Sequence, residues 1–105
     1  MIQHTVLLRF PQPLCDEDAT EMHDIVSSWA GEITELKRLR LGPPSQPEHT
    51  DGYQYLLYLE VADMDALKRY VEHPAHVGFG EWLAERSVQW IVFDYALDSS
   101  TVIVP

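Results

Sequence analysis

With 105 residues, 46% of them hydrophobic, the chain is long enough for one packed core and too short for two, so residues 1–105 are expected to form a single domain. Seventeen acidic against seven basic residues give a formal net charge of −10, which repels phosphate backbones and anionic lipid and argues against a nucleic-acid or membrane partner. The lone Cys15 leaves no internal disulfide, no apolar run approaches the roughly 20 residues that span a bilayer, and the first residues lack the pattern of an export signal, so a cytoplasmic location is expected.

In chain order, Ile2, His4, Val6, Leu8 and Phe10 alternate with Gln3, Thr5, Leu7 and Arg9, which predicts a strand with one apolar face on which His4 is the only polar member. A buried histidine needs a partner or a purpose, because an unpaired polar group is costly away from water. Pro11 and Pro13 end the strand. Asp16, Glu17 and Asp18 supply the acidic first turn that a helix dipole favours. Ala19, Met22, Ile25, Val26 and Trp29 continue at helical spacing, with His23 half exposed on their flank and Gly31 placed to cap the helix. Ile33–Leu41 predicts a second strand, entered through Ile33 or Leu36. Its Lys37, Arg38 and Arg40 read as a solvated strand edge or as a holder for an anionic substrate tail.

Residues 42–52, rich in proline, glycine and polar groups, predict a surface loop with His49 solvated. Tyr53–Val61 predicts a third strand with Tyr53, Tyr55, Leu57, Leu59 and Val61 on one face. Leu56 and Tyr58 make the other face apolar as well, and in a single small sheet that implies a partner subunit. Asp63 caps a helix whose apolar positions are Met64, Leu67, Tyr70 and Val71. Pro74 must break that helix at His73 and suits the first position of a new one, along which Ala75, Phe79, Trp82 and Leu83 share a face.

His76 shares much of that face with Phe79 and Leu83, within reach of Tyr70. Two readings are open for it: a buried histidine satisfied by a carbonyl or water, or an acid–base group in an apolar recess. His73 and His76 lie three apart, but Pro74 interrupts the helical spacing that would let both ligate a metal, and no carboxylate completes a triad. With no CxxC, HExxH or glycine-rich phosphate loop either, neither a metal site nor a cofactor is expected.

Ser87–Tyr95 predicts the last strand, with Val88, Trp90, Val92 and Asp94 on one face and Gln89, Ile91, Phe93 and Tyr95 on the other. Asp94 is either solvated at the sheet edge or bonded to a nearby imidazole whose tautomer it fixes. The tail Thr101–Pro105 is β-prone and too apolar for a free terminus. Strand, helix, strand, strand, broken helix, strand is an α+β order: the ferredoxin-like βαββαβ arrangement, with one four-stranded antiparallel sheet and its helices on one side. The economical way to bury the other face is to pack two sheets face to face in a two-fold homodimer.

Three stretches together resemble the stress-responsive A/B barrel, or dimeric alpha/beta barrel, family, in register from Ile2 to Tyr95. They are the strand Met1–Phe10, the string His73-Pro74-Ala75-His76-Val77-Gly78-Phe79-Gly80, and Val92-Phe93-Asp94-Tyr95. The resemblance implies a dimeric α+β barrel. Within the family, polyketide cyclases of the olivetolic acid type carry the same HPAHVGFG string and close a linear poly-β-ketoacyl-CoA by intramolecular aldol condensation, with no metal or cofactor. Carried over residue by residue, this similarity implies His76 as general base, Tyr70 as the tyrosine hydrogen-bonded near it, His4 as the strand-one histidine, and Asp94 as the aspartate of the FDY motif. The third pocket histidine of those cyclases falls on Tyr55 and their helix-one tyrosine on Val26, which changes the polar groups that would hold a substrate chain.

An aldol cyclisation needs a base for an activated methylene and a donor for the accepting carbonyl, and a histidine titrating near ~6.5 can serve either role. Tyr70 could hold the base or donate to the developing alkoxide, and His4 could act as electrophile or clamp. Apolar walls are expected from Met22, Val26, Leu57, Val71, Phe79, Trp90 and Val92, with Tyr55 also in the substrate site. Two classes follow. One is a cofactor-free cyclase or lyase-like enzyme acting on a small apolar oxo-compound or polyketide-like ligand. The other is a non-catalytic, stress-associated or small-ligand-binding dimer, in which His4, Tyr70, His76 and Asp94 form a satisfied buried network. A cavity between sheet and helices with both imidazoles on its wall favours the first, and a filled interior the second.

Overall fold

A computed structural model describes residues 1–105. Four strands, β1 (Ile2–Arg9), β2 (Arg38–Gly42), β3 (Tyr55–Val61) and β4 (Gln89–Ala96), form one antiparallel sheet in the order β2-β3-β1-β4. Three helices, α1 (Asp16–Ser27), α2 (Met64–Glu72) and α3 (Pro74–Glu85), complete a ferredoxin-like fold. The period-two pattern of β1 is realised directly, with Ile2, His4, Val6 and Leu8 buried. The register aligns His4 with Leu59 on one side and Asp94 on the other, so three residues far apart in sequence form one row on the helix side of the sheet.

The core lies between that face and the helices, around Leu8, Met22, Trp29, Leu57, Leu59 and Tyr70. The α3 helix is tied to α1 at its far end: Arg86 stacks on the Trp82 ring at 4.0 Å and donates to Asp18 at 3.2 Å, while the Trp82 indole N–H donates to Glu21. No helix is long and apolar enough to cross a membrane.

Several local expectations change. Gly31 does not cap α1, which ends at Ser27; Ser28–Gly31 tighten into a 3-10 turn. The N–H groups of Glu32 and Ile33 both reach the Trp29 carbonyl, so the turn closes without a left-handed glycine and carries Trp29 into the core. The second strand is only Arg38–Gly42, because Ile33 and Leu36 pack against the core from an irregular crossover instead of joining the ladder. Its Arg38 is exposed and faces Glu60 at 3.8 Å, a solvated edge. The third strand starts at Tyr55, not Tyr53, although the Gln54 N–H still bonds the Leu8 carbonyl. The fourth starts at Gln89, after a turn in which Ser87 takes a φ of 54°. Met64 lies in the first turn of α2, outside the core, and is 58% exposed. The tail, expected to be covered, is free of regular structure, and Ile103 is 87% exposed in the single chain.

Candidate functional site

The site begins with the helix break. In an unbroken helix the Tyr70 and Val71 carbonyls would accept from residues 74 and 75. Pro74 has no N–H, so the Tyr70 carbonyl takes the His73 N–H instead, at 3.1 Å. His73 is extended (φ −64°, ψ 136°) and caps α3 with its ring: Nδ1 accepts from the Ala75 N–H at 3.0 Å. The Val71 carbonyl is thereby left without a backbone donor, and the His76 ring fills it at 2.9 Å through Nδ1. A carbonyl can only accept, so His76 carries its proton on Nδ1 and leaves Nε2 as the basic nitrogen.

His4 reaches the same state by another route. Across the β1–β4 register its Nδ1 donates to the Asp94 carboxylate, which likewise leaves Nε2 free. Of the two readings open for Asp94, the structure realises the imidazole partner. Between the two histidines stands Tyr70, fully buried, its ring 4.6 Å from that of His76 and 5.7 Å from that of His4. Its hydroxyl has no partner within the protein, His76 included.

These groups line a cavity of about 290 Å³ between the sheet and the α2–α3 corner. His4, Tyr70, His76 and Asp94 are its polar members, and Leu57, Val71, Phe79, Trp90 and Val92 lie on its apolar wall. No lysine or arginine lines it. β4 is exposed along both faces, with Trp90 50% exposed, so the cavity opens on that side.

Burial holds the His76 imidazole below its usual pKa; the Val71 carbonyl acts in the opposite sense, and the nearby His4 ring adds to the depression. Burial also pushes the Tyr70 phenol well above its usual range, so it stays protonated and acts as a donor.

Three expected wall residues lie elsewhere. Met22 and Val26 are buried in the core and do not reach the cavity. Tyr55 does not line it either: its hydroxyl lies 3.0 Å from Nε2 of His23 on α1. Position on the correct face does not fix position along it. Val6, Leu67, Gly80 and Leu83 line the cavity and escaped the sequence reading. The signal was available, since Val6 stands two residues from His4 on the same strand face, and Gly80 and Leu83 follow His76 at four and seven. His73 and His76 do not converge on a common point: their Nδ1 atoms serve different backbone groups, and no cluster of three or more His, Cys, Asp or Glu side chains is placed to hold a metal ion.

Olivetolic acid cyclase of Cannabis sativa is 23% identical over 95 residues, a stretch that spans 90% of this chain and 94% of the cyclase. The hydroxynitrile lyase of Passiflora edulis superposes with a TM-score of 0.81 at 13% identity, over 96% of both chains. A dimeric ferredoxin-like protein of unknown function from Thermobifida fusca superposes with a TM-score of 0.78 at 20% identity, over 91% of this chain and 90% of that one. The model of the stress responsive A/B barrel domain matches residues 2–97, from the strand that carries His4 to beyond the strand that carries Asp94; the chain belongs to the stress-responsive A/B barrel family.

Proposed function

We propose that this protein is a cofactor-independent acid–base enzyme of the polyketide cyclase type, closing a small oxo-compound by intramolecular aldol addition and working as a homodimer. The observation that carries this reading is the state of the three central polar groups. Nε2 of His76, Nε2 of His4 and the Tyr70 hydroxyl all lack a protein partner, on residues lining one apolar cavity. A purely structural network would satisfy its own members.

Each group has a chemical role. His76, its tautomer fixed by the Val71 carbonyl and its imidazole kept neutral by burial, takes a proton on Nε2 from a methylene activated by flanking carbonyls. The carbanion attacks a second carbonyl of the same chain, and the Tyr70 O–H donates to the alkoxide that develops there. His4, held by Asp94, clamps the substrate or, when it carries both protons, polarises the accepting carbonyl. The apolar wall folds the chain so that the two carbons meet, and much of the rate derives from that proximity. Support comes from the similarity to olivetolic acid cyclase along nearly the whole chain and from the HPAHVGFG string. The same base would serve a lyase-like reaction, as the name of the Passiflora protein suggests. Homodimer formation is supported by the dimeric Thermobifida structure and by the uncovered apolar sheet face.

The test pairs a thermal melt with turnover of short poly-β-ketoacyl thioesters, and of an aromatic cyanohydrin as the lyase alternative, by wild type and His76→Ala. The variant should lose about 10²–10⁴-fold in turnover, the usual weight of a positioned acid–base group. Its stability should fall by only about 0.5–1.5 kcal/mol, one partly exposed hydrogen bond. A wild type that binds the thioesters and turns over none of the panel leaves the small-ligand-binding dimer as the function. Cleavage of the cyanohydrin alone replaces the cyclase by a lyase.

A further inference from the structure

The histidine at the helix break has no role in the chemistry above: His73 does not line the cavity, and its ring pairs with neither the Tyr70 nor the His4 ring. Its ring is nonetheless committed to one backbone group, the Ala75 N–H, and that group is the natural donor for the Val71 carbonyl. We propose that His73 is a positioning residue for His76: by holding the Ala75 N–H on its own Nδ1 it keeps the Val71 carbonyl free for the His76 Nδ1–H, and so fixes which nitrogen of His76 faces the cavity.

The argument is one of donors and acceptors. Three donors at the break, the N–H groups of His73 and Ala75 and the ring N–H of His76, are each matched to one acceptor: the Tyr70 carbonyl, Nδ1 of His73 and the Val71 carbonyl. Without an acceptor at position 73 the donors outnumber the carbonyls. The Ala75 N–H is then either left unpaired on a half-buried turn or shares the Val71 carbonyl with His76. In the second case the Ala75 N–H competes with the His76 ring for the carbonyl that sets its tautomer and its angle. Proline alone breaks the helix; the acceptor next to it decides what the break is used for. The tautomer part of this inference stands on geometry alone, while its consequence for rate rests on the proposed base role of His76.

Two variants test it. His73→Ala removes the acceptor, and His73→Asp replaces it with a carboxylate, a strong helix N-cap that accepts from the same region of backbone. The readout is the ¹⁵N chemical shift of the two His76 ring nitrogens, which reports tautomer without any substrate. Wild type and His73→Asp should both show protonated Nδ1 and bare Nε2, and His73→Ala a mixture of the two tautomers. Where turnover is measurable, His73→Ala should lower kcat with little change in KM, by up to about 10²-fold for a misplaced reacting group, and His73→Asp should recover most of it. A His73→Ala protein that is folded and keeps the wild-type His76 nitrogen shifts overturns the proposal. If it is too unstable to measure, His73→Asp decides: wild-type His76 shifts support the proposal, and a mixture overturns it. Absence of turnover with the expected shifts would count against the enzyme reading and leave the positioning role intact.

Discussion

At the scale of single residues, the arrangement turns on polar groups that the protein buries and leaves unsatisfied. Tyr70 is the sharpest case, since its ring packs in the core while its hydroxyl finds no acceptor. Tyr70→Phe should therefore be neutral for folding or stabilising by up to about 1 kcal/mol, because it removes a desolvated hydroxyl and no hydrogen bond. The same change should cost roughly 10²-fold in turnover if the O–H donates to the alkoxide. A clear fall in melting temperature would mean that the hydroxyl has a partner in the folded state and would undercut its assignment as a free donor. His76 adds a pH dependence. Burial lowers its folded-state pKa below the unfolded value of about 6.5, so between the two the unfolded chain binds the extra proton. The contribution to stability is present above that unfolded value and is lost as pH falls towards the folded one. Melts from about pH 7.5 to pH 5 should show wild type losing more stability than His76→Asn; parallel curves would show that His76 titrates as freely in the folded protein as in the unfolded chain.

At the scale of elements, what was legible depended on how local the cause was. Alternation in β1 and in β3 from Tyr55, the Asp63 cap with its bond to the Ala66 N–H at 2.8 Å, and the break at Pro74 are written in adjacent residues and appear where the sequence puts them. The C-terminal end of α1 was misread because a glycine after an apolar stripe normally signals a left-handed cap. Here a 3-10 turn satisfies the carbonyl, and tertiary burial of Trp29 selects it. Ile33 and Leu36 looked like a strand because core anchors on an irregular crossover have the same apolar spacing as a strand face.

The site was legible in type more than in position. His4 and Asp94 are 90 residues apart in sequence, and only the β1–β4 register makes them partners. Met22, Val26 and Tyr55 face the correct layer but sit away from the cavity, a distinction of depth that periodicity cannot carry. The acceptor that fixes His76 is a backbone carbonyl left free by the helix break and by the His73 cap on the Ala75 N–H, which no side-chain pattern encodes directly.

At the scale of the whole molecule, the unresolved debt is the second face of the sheet. The register stacks Leu56, Leu7 and Ile91 in one row across β3, β1 and β4, and Tyr58, Thr5 and Phe93 in the next. Phe93 is 66% exposed and Ile91 48% in the single chain, a continuous apolar strip on a folded sheet. Strips of this kind on small domains mark association surfaces, and a surface that is apolar across three adjacent strands suits a second copy of itself related by a two-fold axis. The exposed Val102–Val104 segment follows β4 in the chain and adds to the uncovered apolar surface. We predict that light scattering at micromolar concentration gives twice the 12.1 kDa mass of the chain. Phe93→Asp should place a desolvated charge in the centre of the contact and yield a monomer with unchanged helical circular dichroism. Because β4 also carries Trp90, Val92 and Asp94 on the cavity side, the monomeric variant should bind a cavity ligand more weakly even though Phe93 does not line the cavity. A wild type with the mass of one chain would rule out the dimer. A Phe93→Asp monomer with wild-type ligand affinity would show instead that each half-barrel works alone.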